Sequence, residues 1–262
     1  DHLNRHHTME CYTETKARVA MNQTKEQMCV LNYEDERLQQ VAKNMSADVF
    51  WFSSARELER GIFLRGEEIV CRDGEEITLC NIHDLKLLGM HNYENVMAAA
   101  AIAHGMNVPW DVIRKVVCEF QAVPHRIEFV KEVNGVKYYN DSKGTNPDAA
   151  IKAVEAMVRP TIVIGGGYDK ESVYDEWIAS FGTKVKSLVL LGQTADKIAE
   201  AAAKAGFTAV TKVDSLEEAV AECARQAQDG DAVLLSPACA SWGMFKNFEE
   251  RGDLFKEYVK KL

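Results

Sequence analysis

Ile127-Glu128-Phe129-Val130-Lys131-Glu132-Val133-Asn134-Gly135-Val136-Lys137-Tyr138-Tyr139-Asn140-Asp141-Ser142-Lys143-Gly144-Thr145-Asn146-Pro147 carries the decisive local signals of this chain. Asn134-Gly135 is the pair preferred at the centre of a type I′ turn, where both residues take positive φ. Its flanks, Ile127 to Val133 and Val136 to Asn140, therefore predict a β-hairpin. Pro147 after Asn146 reads as the first turn of a helix. Further on, Thr161 to Ile164, Leu188 to Leu191, Ala209 to Val213 and Ala232 to Leu235 are short apolar runs separated by helical-period segments. One of those segments starts at Thr194 and ends at Gly206, and another opens on the capping box Ser215-x-x-Glu218. Ile151, Val154, Met157 and Val158 make one expected core stripe, and Leu216, Ala219, Val220 and Cys223 another. Strands alternating with helices in this way predict an α/β fold with a mainly parallel sheet.

Upstream the pattern is less regular. Met28 to Leu31 and Val49 to Phe52 read as strands around a short helix at Asp35 to Lys43, and Ile62 to Cys80 as a β-ribbon turning at Arg65-Gly66 and Asp73-Gly74. Two helices follow, the first from near Asn92 and the second from Pro109, and Pro124 marks a domain boundary that divides the chain into residues 1–122 and 123–262. Trp51, Trp110 and Trp177 are assigned to packing.

Lys and Arg number 31 against 40 Asp and Glu, a formal net charge of −9 with no basic run, which argues against nucleic-acid binding. The most apolar stretch, Val96 to Ala103, is too short to cross a bilayer, and no signal-peptide core opens the chain, so a cytoplasmic protein without membrane insertion is expected. Seven cysteines, none in a Cys-x-x-Cys pair, argue against a disulfide framework and for a reducing compartment. The chain opens without Met on a charged, His-rich segment, as an internal fragment would.

Ligands of an open parallel sheet sit beyond the carboxyl ends of its strands, where loops converge and helix N-termini offer free N–H groups. The segments leaving the predicted strands are Asn140 to Asn146, Gly165-Gly166-Gly167-Tyr168-Asp169-Lys170, Gly192-Gln193, and Ser236 to Ser241. Lys143 and Lys170 suit an anionic substrate or phosphates. Asp141 suits a nucleotide or a metal-bound water, and Thr145 and Ser236 suit a carboxylate. His2, His6 and His7 are candidate metal ligands or surface histidines, Asn92 a candidate N-cap, and Arg126 a candidate surface ion-pair residue.

Asp1-His2-Leu3, Lys16-Ala17-Arg18, His91-Asn92-Tyr93-Glu94-Asn95, Pro124-His125-Arg126-x-Glu128, Asn140 to Asn146, Gly166 to Lys170 and Ser236 to Asp253 resemble, in this order, the motifs of the Mur ligases. Leu235 to Trp242 with Phe245 to Asp253 resembles the D-glutamate-adding branch. The Asn-Asp-Ser-Lys and Pro-His-Arg elements resemble folylpolyglutamate ligases as well. By this resemblance residues 1–122 are the C-terminal part of a central, ATPase-like α/β domain, and residues 123–262 are a Rossmann-like amino-acid-binding domain. The resemblance implies ATP-dependent joining of D-glutamate to UDP-N-acetylmuramoyl-L-alanine through an acyl phosphate, in peptidoglycan precursor synthesis, with Mg2+. Asn92, Asn95, Arg126, Asp141 and Lys143 match ATP-holding residues, the asparagines near adenine and Arg126 and Lys143 toward ribose and phosphates. Lys16, as its carbamate, and His2 match a magnesium site and count with Lys143 as catalytic candidates. Thr145, Lys170, Ser236 and Phe245 match the D-glutamate pocket.

Asn4 and Gly243 stand where that family usually has Asp. No Gly-x-x-Gly-Lys-Ser/Thr loop occurs in the chain, so a fragment inactive by itself is expected, with an exposed sheet edge prone to self-association. The alternatives are a non-catalytic nucleotide- or amino-acid-binding module and a related ligase adding a different amino acid.

Overall fold

A computed structural model describes residues 7–262, which form two compact units, one ending at Phe120 and one running from Gln121 to Leu262. In the first unit, helix α1 (Met9–Ala17) is capped by Thr8, whose hydroxyl accepts from the Cys11 N–H. Strand β1 (Met28–Asn32), helix α2 (Glu36–Ala42) and strand β2 (Asp48–Ser53) follow, with Asp35 capping α2. Strands β3 (Gly61–Arg65), β4 (Glu68–Asp73) and β5 (Glu75–Asn81) complete a sheet of order β1-β2-β3-β4-β5, parallel through β3 and antiparallel beyond it. Gly66 and Gly74 supply the positive φ at the two ribbon turns.

Helix α3 (Met90–Gly105) packs on β1, β2 and β3 and buries Val96, Met97, Ala100 and Ala101, the small alanines permitting close approach. Its N-cap is Gly89, at φ 94°, and Asn92 lies inside the first turn, donating from Nδ2 to the Leu88 carbonyl at 2.7 Å. The expected capping role of Asn92 is thus corrected: the backbone turns one residue before Met90, and only glycine takes that conformation without strain. Helix α4 (Trp110–Glu119) buries Ile113 and Val117, and Trp110 stacks on His104 at 4.7 Å.

The second unit begins with the antiparallel hairpin β6 (Glu128–Val133) and β7 (Val136–Asn140), closed by Asn134 and Gly135 at φ 49° and 78°. A Cβ on Gly135 would also run into the Asp229 carboxylate. Gly135→Ala is therefore expected to lower the free energy of unfolding by about 1–2 kcal/mol, read from the urea midpoint.

Helix α5 (Pro147–Ala156), capped by Asn146, leads to β8 (Thr161–Gly165), then helix α6 (Asp175–Ala179), strand β9 (Val185–Leu190), helix α7 (Ala195–Lys204), strand β10 (Val210–Lys212), helix α8 (Leu216–Gln226), strand β11 (Ala232–Leu235) and helix α9 (Phe248–Lys261). The sheet order is β10-β9-β8-β11-β7-β6, with only β6 antiparallel. The chain steps outward from β8 to β10 and then returns to insert β11 between β8 and β7. That reversal opens a crevice at the strand ends.

Val163, Ile164, Leu188, Val189, Val233 and Leu235 are all wholly buried, as continuous apolar runs in a sheet covered on both faces must be. The α8 stripe of Leu216, Ala219, Val220 and Cys223 joins that core. The α5 stripe is revised: Val154 and Met157 are buried, but α5 ends at Ala156 and Val158 is 79% exposed, beyond the helical period that would have turned it inward. Ser215 caps α8 through the Glu218 N–H, whereas the Glu218 carboxylate accepts from Asp214 instead of closing the expected box. Trp177 is wholly buried, while Trp51 packs on the cluster of Leu58, Phe63 and Val70.

Candidate functional site

Three neighbouring strands, β8, β11 and β7, bring three of the predicted loops together at their carboxyl ends. The loops are bonded to one another and to the strands: the Asp141 N–H donates to the Leu235 carbonyl at 2.7 Å, Ser236 N–H to Ile164 at 3.2 Å, Gly166 N–H to Pro237 at 2.8 Å and Tyr168 N–H to Ala240 at 2.9 Å. The Gly167 N–H donates to the Thr194 hydroxyl at 3.0 Å, which adds the start of α7 to the cluster.

At its centre Asp141 and Ser236 are both buried. The Ser236 hydroxyl donates to Asp141 Oδ2 at 2.8 Å, and the Ile127 N–H donates to Oδ1 at 3.3 Å. Burial pushes the Asp141 carboxyl up to about 7, against the opposing pull of the Ser236 and Ile127 hydrogen bonds and of the Arg126 and Arg251 charges. With its hydrogen directed to Asp141, the Ser236 hydroxyl keeps its oxygen as an acceptor. Gly144 closes over this pair: a Cβ there would lie 2.5 Å from Asp141 Oδ2.

Lys143, two residues after Asp141, and Lys170, in the loop after β8, are both exposed. Neither has a carboxylate partner among the described residues. The Lys143 ammonium lies 5.1 Å from the Phe248 ring centroid and that of Lys170 4.9 Å from Trp242. Asp169, adjacent to Lys170, instead pairs with Lys197 at 3.2 Å. Two cations held only on aromatic faces keep their N–H donors available to an anion. Thr145 is half-buried in the same loop.

Phe248, the first residue of α9, and Trp242, in the loop before it, were not singled out from sequence, since a lone aromatic ring carries no signal that separates lysine contact from core packing. Phe245, singled out instead, packs against the hydrophobic core of the second unit. Arg251 was also missed. It is 2% exposed, it donates to Ser142 and Cys239, and burial lowers its guanidinium to about 10.

His125, buried at φ 65°, approaches Asn140 Nδ2 through Nδ1 at 3.0 Å, and its N–H donates to Glu128 Oε2 at 2.9 Å. The next residue, Arg126, is exposed and its side chain makes no hydrogen bond or ion pair among the described residues, so the surface ion pair considered from sequence is not formed.

Asn92 and Asn95 belong to the first unit, three residues apart at the start of α3 and therefore on one side of it. Lys16 is exposed on α1, its ammonium 5.6 Å from the Tyr12 ring. His2 and His6 lie outside the described residues. Among the described residues no group of three His, Cys, Asp or Glu side chains is arranged to hold a metal ion, and no helix is long and apolar enough to cross a membrane.

Residues 1–103 match the family described as the Mur ligase middle domain, and residues 125–239 match the Mur ligase, glutamate ligase domain. The chain is 59% identical, over 263 aligned residues, to the UDP-N-acetylmuramoylalanine--D-glutamate ligase of Lachnoclostridium phytofermentans, covering 100% of this chain and 58% of that protein. It is 47% identical to the ligase of the same name from Clostridioides difficile, again with 100% and 58% covered. The chain thus spans little more than half the length of these relatives. Among solved structures, the UDP-N-acetylmuramate-alanine ligase of Thermotoga maritima superposes with a TM-score of 0.70 at 15% identity, covering 100% of this chain and 57% of that one. The MurF ligase of Thermotoga maritima in complex with ADP superposes with a TM-score of 0.63 at 17% identity, covering 99% and 60%. These likenesses show a common fold.

Proposed function

The chain belongs to the Mur ligase family, and from that premise we propose that it forms the nucleotide- and amino-acid-handling part of an ATP-dependent ligase joining D-glutamate to UDP-N-acetylmuramoyl-L-alanine. The observation that supports this most is the pair of lysines without carboxylate partners beside the buried Asp141–Ser236 pair, at adjoining strand exits.

In this proposal ATP phosphorylates the alanyl carboxylate. The amine of D-glutamate then attacks the acyl phosphate carbon, the carbon–oxygen bond to phosphate breaks, and inorganic phosphate leaves as the amide forms. Lys143 and Arg126 neutralise phosphate and orient ribose, with Asp141 behind them, while Asn92 and Asn95 take the adenine. Lys170 receives a carboxylate of D-glutamate, with Thr145, Ser236 and Phe245 forming the rest of its pocket. Such a reaction depends on alignment and charge neutralisation, since the protein forms no covalent bond. The described residues do not by themselves supply a magnesium site. A carbamate on Lys16 would turn its ammonium into an oxygen ligand for such an ion. The proposal carries with it a place in cell-wall precursor synthesis in the cytoplasm.

The test is phosphate release by the full-length ligase from ATP and the UDP-linked acceptor, with D-glutamate, L-glutamate or diaminopimelate as the amine. D-glutamate is expected to be preferred by at least about 100-fold in kcat/KM, because fixed donors can meet two carboxylates and present the amine for attack at only one stereochemistry and chain length, and are left unpaired by the others. Equal turnover with diaminopimelate would indicate a related ligase, and no release with any amine would favour a binding module.

A further inference from the structure

Arg251 is buried at 2% exposure, yet no carboxylate pairs with it at salt-bridge distance among the described residues. Isolated buried charges are costly, and this one is kept by three hydrogen bonds to loop atoms. Its Nε donates to the Ser142 hydroxyl at 2.9 Å, Nη2 to the Ser142 carbonyl at 2.7 Å and Nη1 to the Cys239 carbonyl at 3.2 Å.

The Ser142 carbonyl belongs to the peptide that joins Ser142 to Lys143. The other side of that peptide, the Lys143 N–H, donates to the His125 carbonyl at 3.1 Å. The peptide from which the Lys143 side chain departs is therefore held at both ends. The Ser142 hydroxyl in turn donates to the Phe248 carbonyl at 2.8 Å, and the Phe248 ring lies under the Lys143 ammonium. On its other side the same guanidinium fixes Cys239, whose thiol meets the Tyr174 and Thr194 hydroxyls at 3.1 and 3.2 Å. Thr194 is bonded to Gly167, three residues before Lys170.

We propose that Arg251 is a positioning residue: it touches no substrate, but aims Lys143 by clamping the Ser142–Lys143 peptide and ties that loop to the strand exit after β11. The planar fork is what the role requires, because a single ammonium has no fixed geometry with which to reach Ser142 and Cys239 together. The inference rests on the proposed role of Lys143 toward phosphate.

The experiment is a double-mutant cycle in the full-length ligase with Arg251→Lys and Lys143→Met, reading the KM for ATP alongside the melting temperature. Arg251→Lys is expected to raise the KM for ATP roughly tenfold by itself and less than about twofold in the Lys143→Met background, since residues acting through one contact are non-additive. Ser142→Ala, which removes one of the three acceptors and leaves the charge, should give about a threefold rise and serves if Arg251→Lys does not fold. A lowered melting temperature with an unchanged KM, or equal effects in both backgrounds, would overturn the proposal. Lys143→Met without effect on the KM for ATP would instead sink the function assigned to Lys143.

Discussion

Lys170→Ala is expected to reduce D-glutamate-dependent phosphate release by roughly 30- to 300-fold in kcat/KM, while leaving the KM for ATP and the melting temperature nearly unchanged. Truncating one partner of a hydrogen-bonded charge pair costs about 2–5 kcal/mol, with each 1.36 kcal/mol a factor of ten, and the exposure of this lysine places it toward the lower end. The free protein has little to lose. Lys170 is exposed, makes no ion pair among the described residues, and rests only on the face of Trp242. Its neighbour Asp169 is already engaged by Lys197, so no carboxylate is left unpaired by the change. Lys170→Arg should recover part of the loss, because charge is restored but the planar fork cannot occupy the same point. Initial rates at varied D-glutamate concentration decide the matter: activity surviving Lys170→Ala nearly intact would remove this lysine from the pocket.

The second unit was more legible than the site it carries. Asn134-Gly135, Asn146-Pro147 and the strand-terminating glycines act through local backbone preferences, so they announce the same structure whatever surrounds them. The loops that follow β7, β8 and β11 could likewise be found as polar segments after apolar runs. Their mutual bonding could not, because it depends on β11 returning between β8 and β7, a long-range pairing with no local signature.

The same reason explains the particular misses. Arg251 lies in a helix whose neighbours are charged, and sequence gives no hint that this guanidinium points inward. Phe248 meets Lys143 and Trp242 meets Lys170, each lysine lying far upstream in sequence. Asn92 looked like a cap because asparagine often is one, whereas Gly89 ends the preceding chain at a φ that only glycine takes readily. In the first unit, α3 lies on three strands through small residues, and its composition announces burial without saying against what.

Asp141→Asn should separate stability from function. The native carboxyl is raised to about 7 from an unfolded value near 3.9, so the folded state binds the proton more tightly. The stability this group contributes is fully present below about pH 4 and is lost as pH rises to about 7, leaving a cost of about 4 kcal/mol above that range, from a shift of about three units at 1.36 kcal/mol each. Asparagine is neutral throughout, and its amide reproduces both contacts, with the carbonyl accepting from Ile127 and the NH2 donating to the Ser236 oxygen. The variant is therefore expected to unfold at higher urea than the parent at pH 8, and at nearly the same urea at pH 4. Coincident midpoints at both values would show that Asp141 ionises inside the fold without penalty. Ligase activity should fall at least about 100-fold at pH 8 if a negative charge behind Arg126 is needed to orient the nucleotide, and the deficit should shrink as pH falls below about 7, where the parent carboxyl is itself protonated. A buried carboxylate that makes the fold less stable at neutral pH than its amide would persist only where the charge itself is used, and a variant both more stable and fully active would deny Asp141 that use.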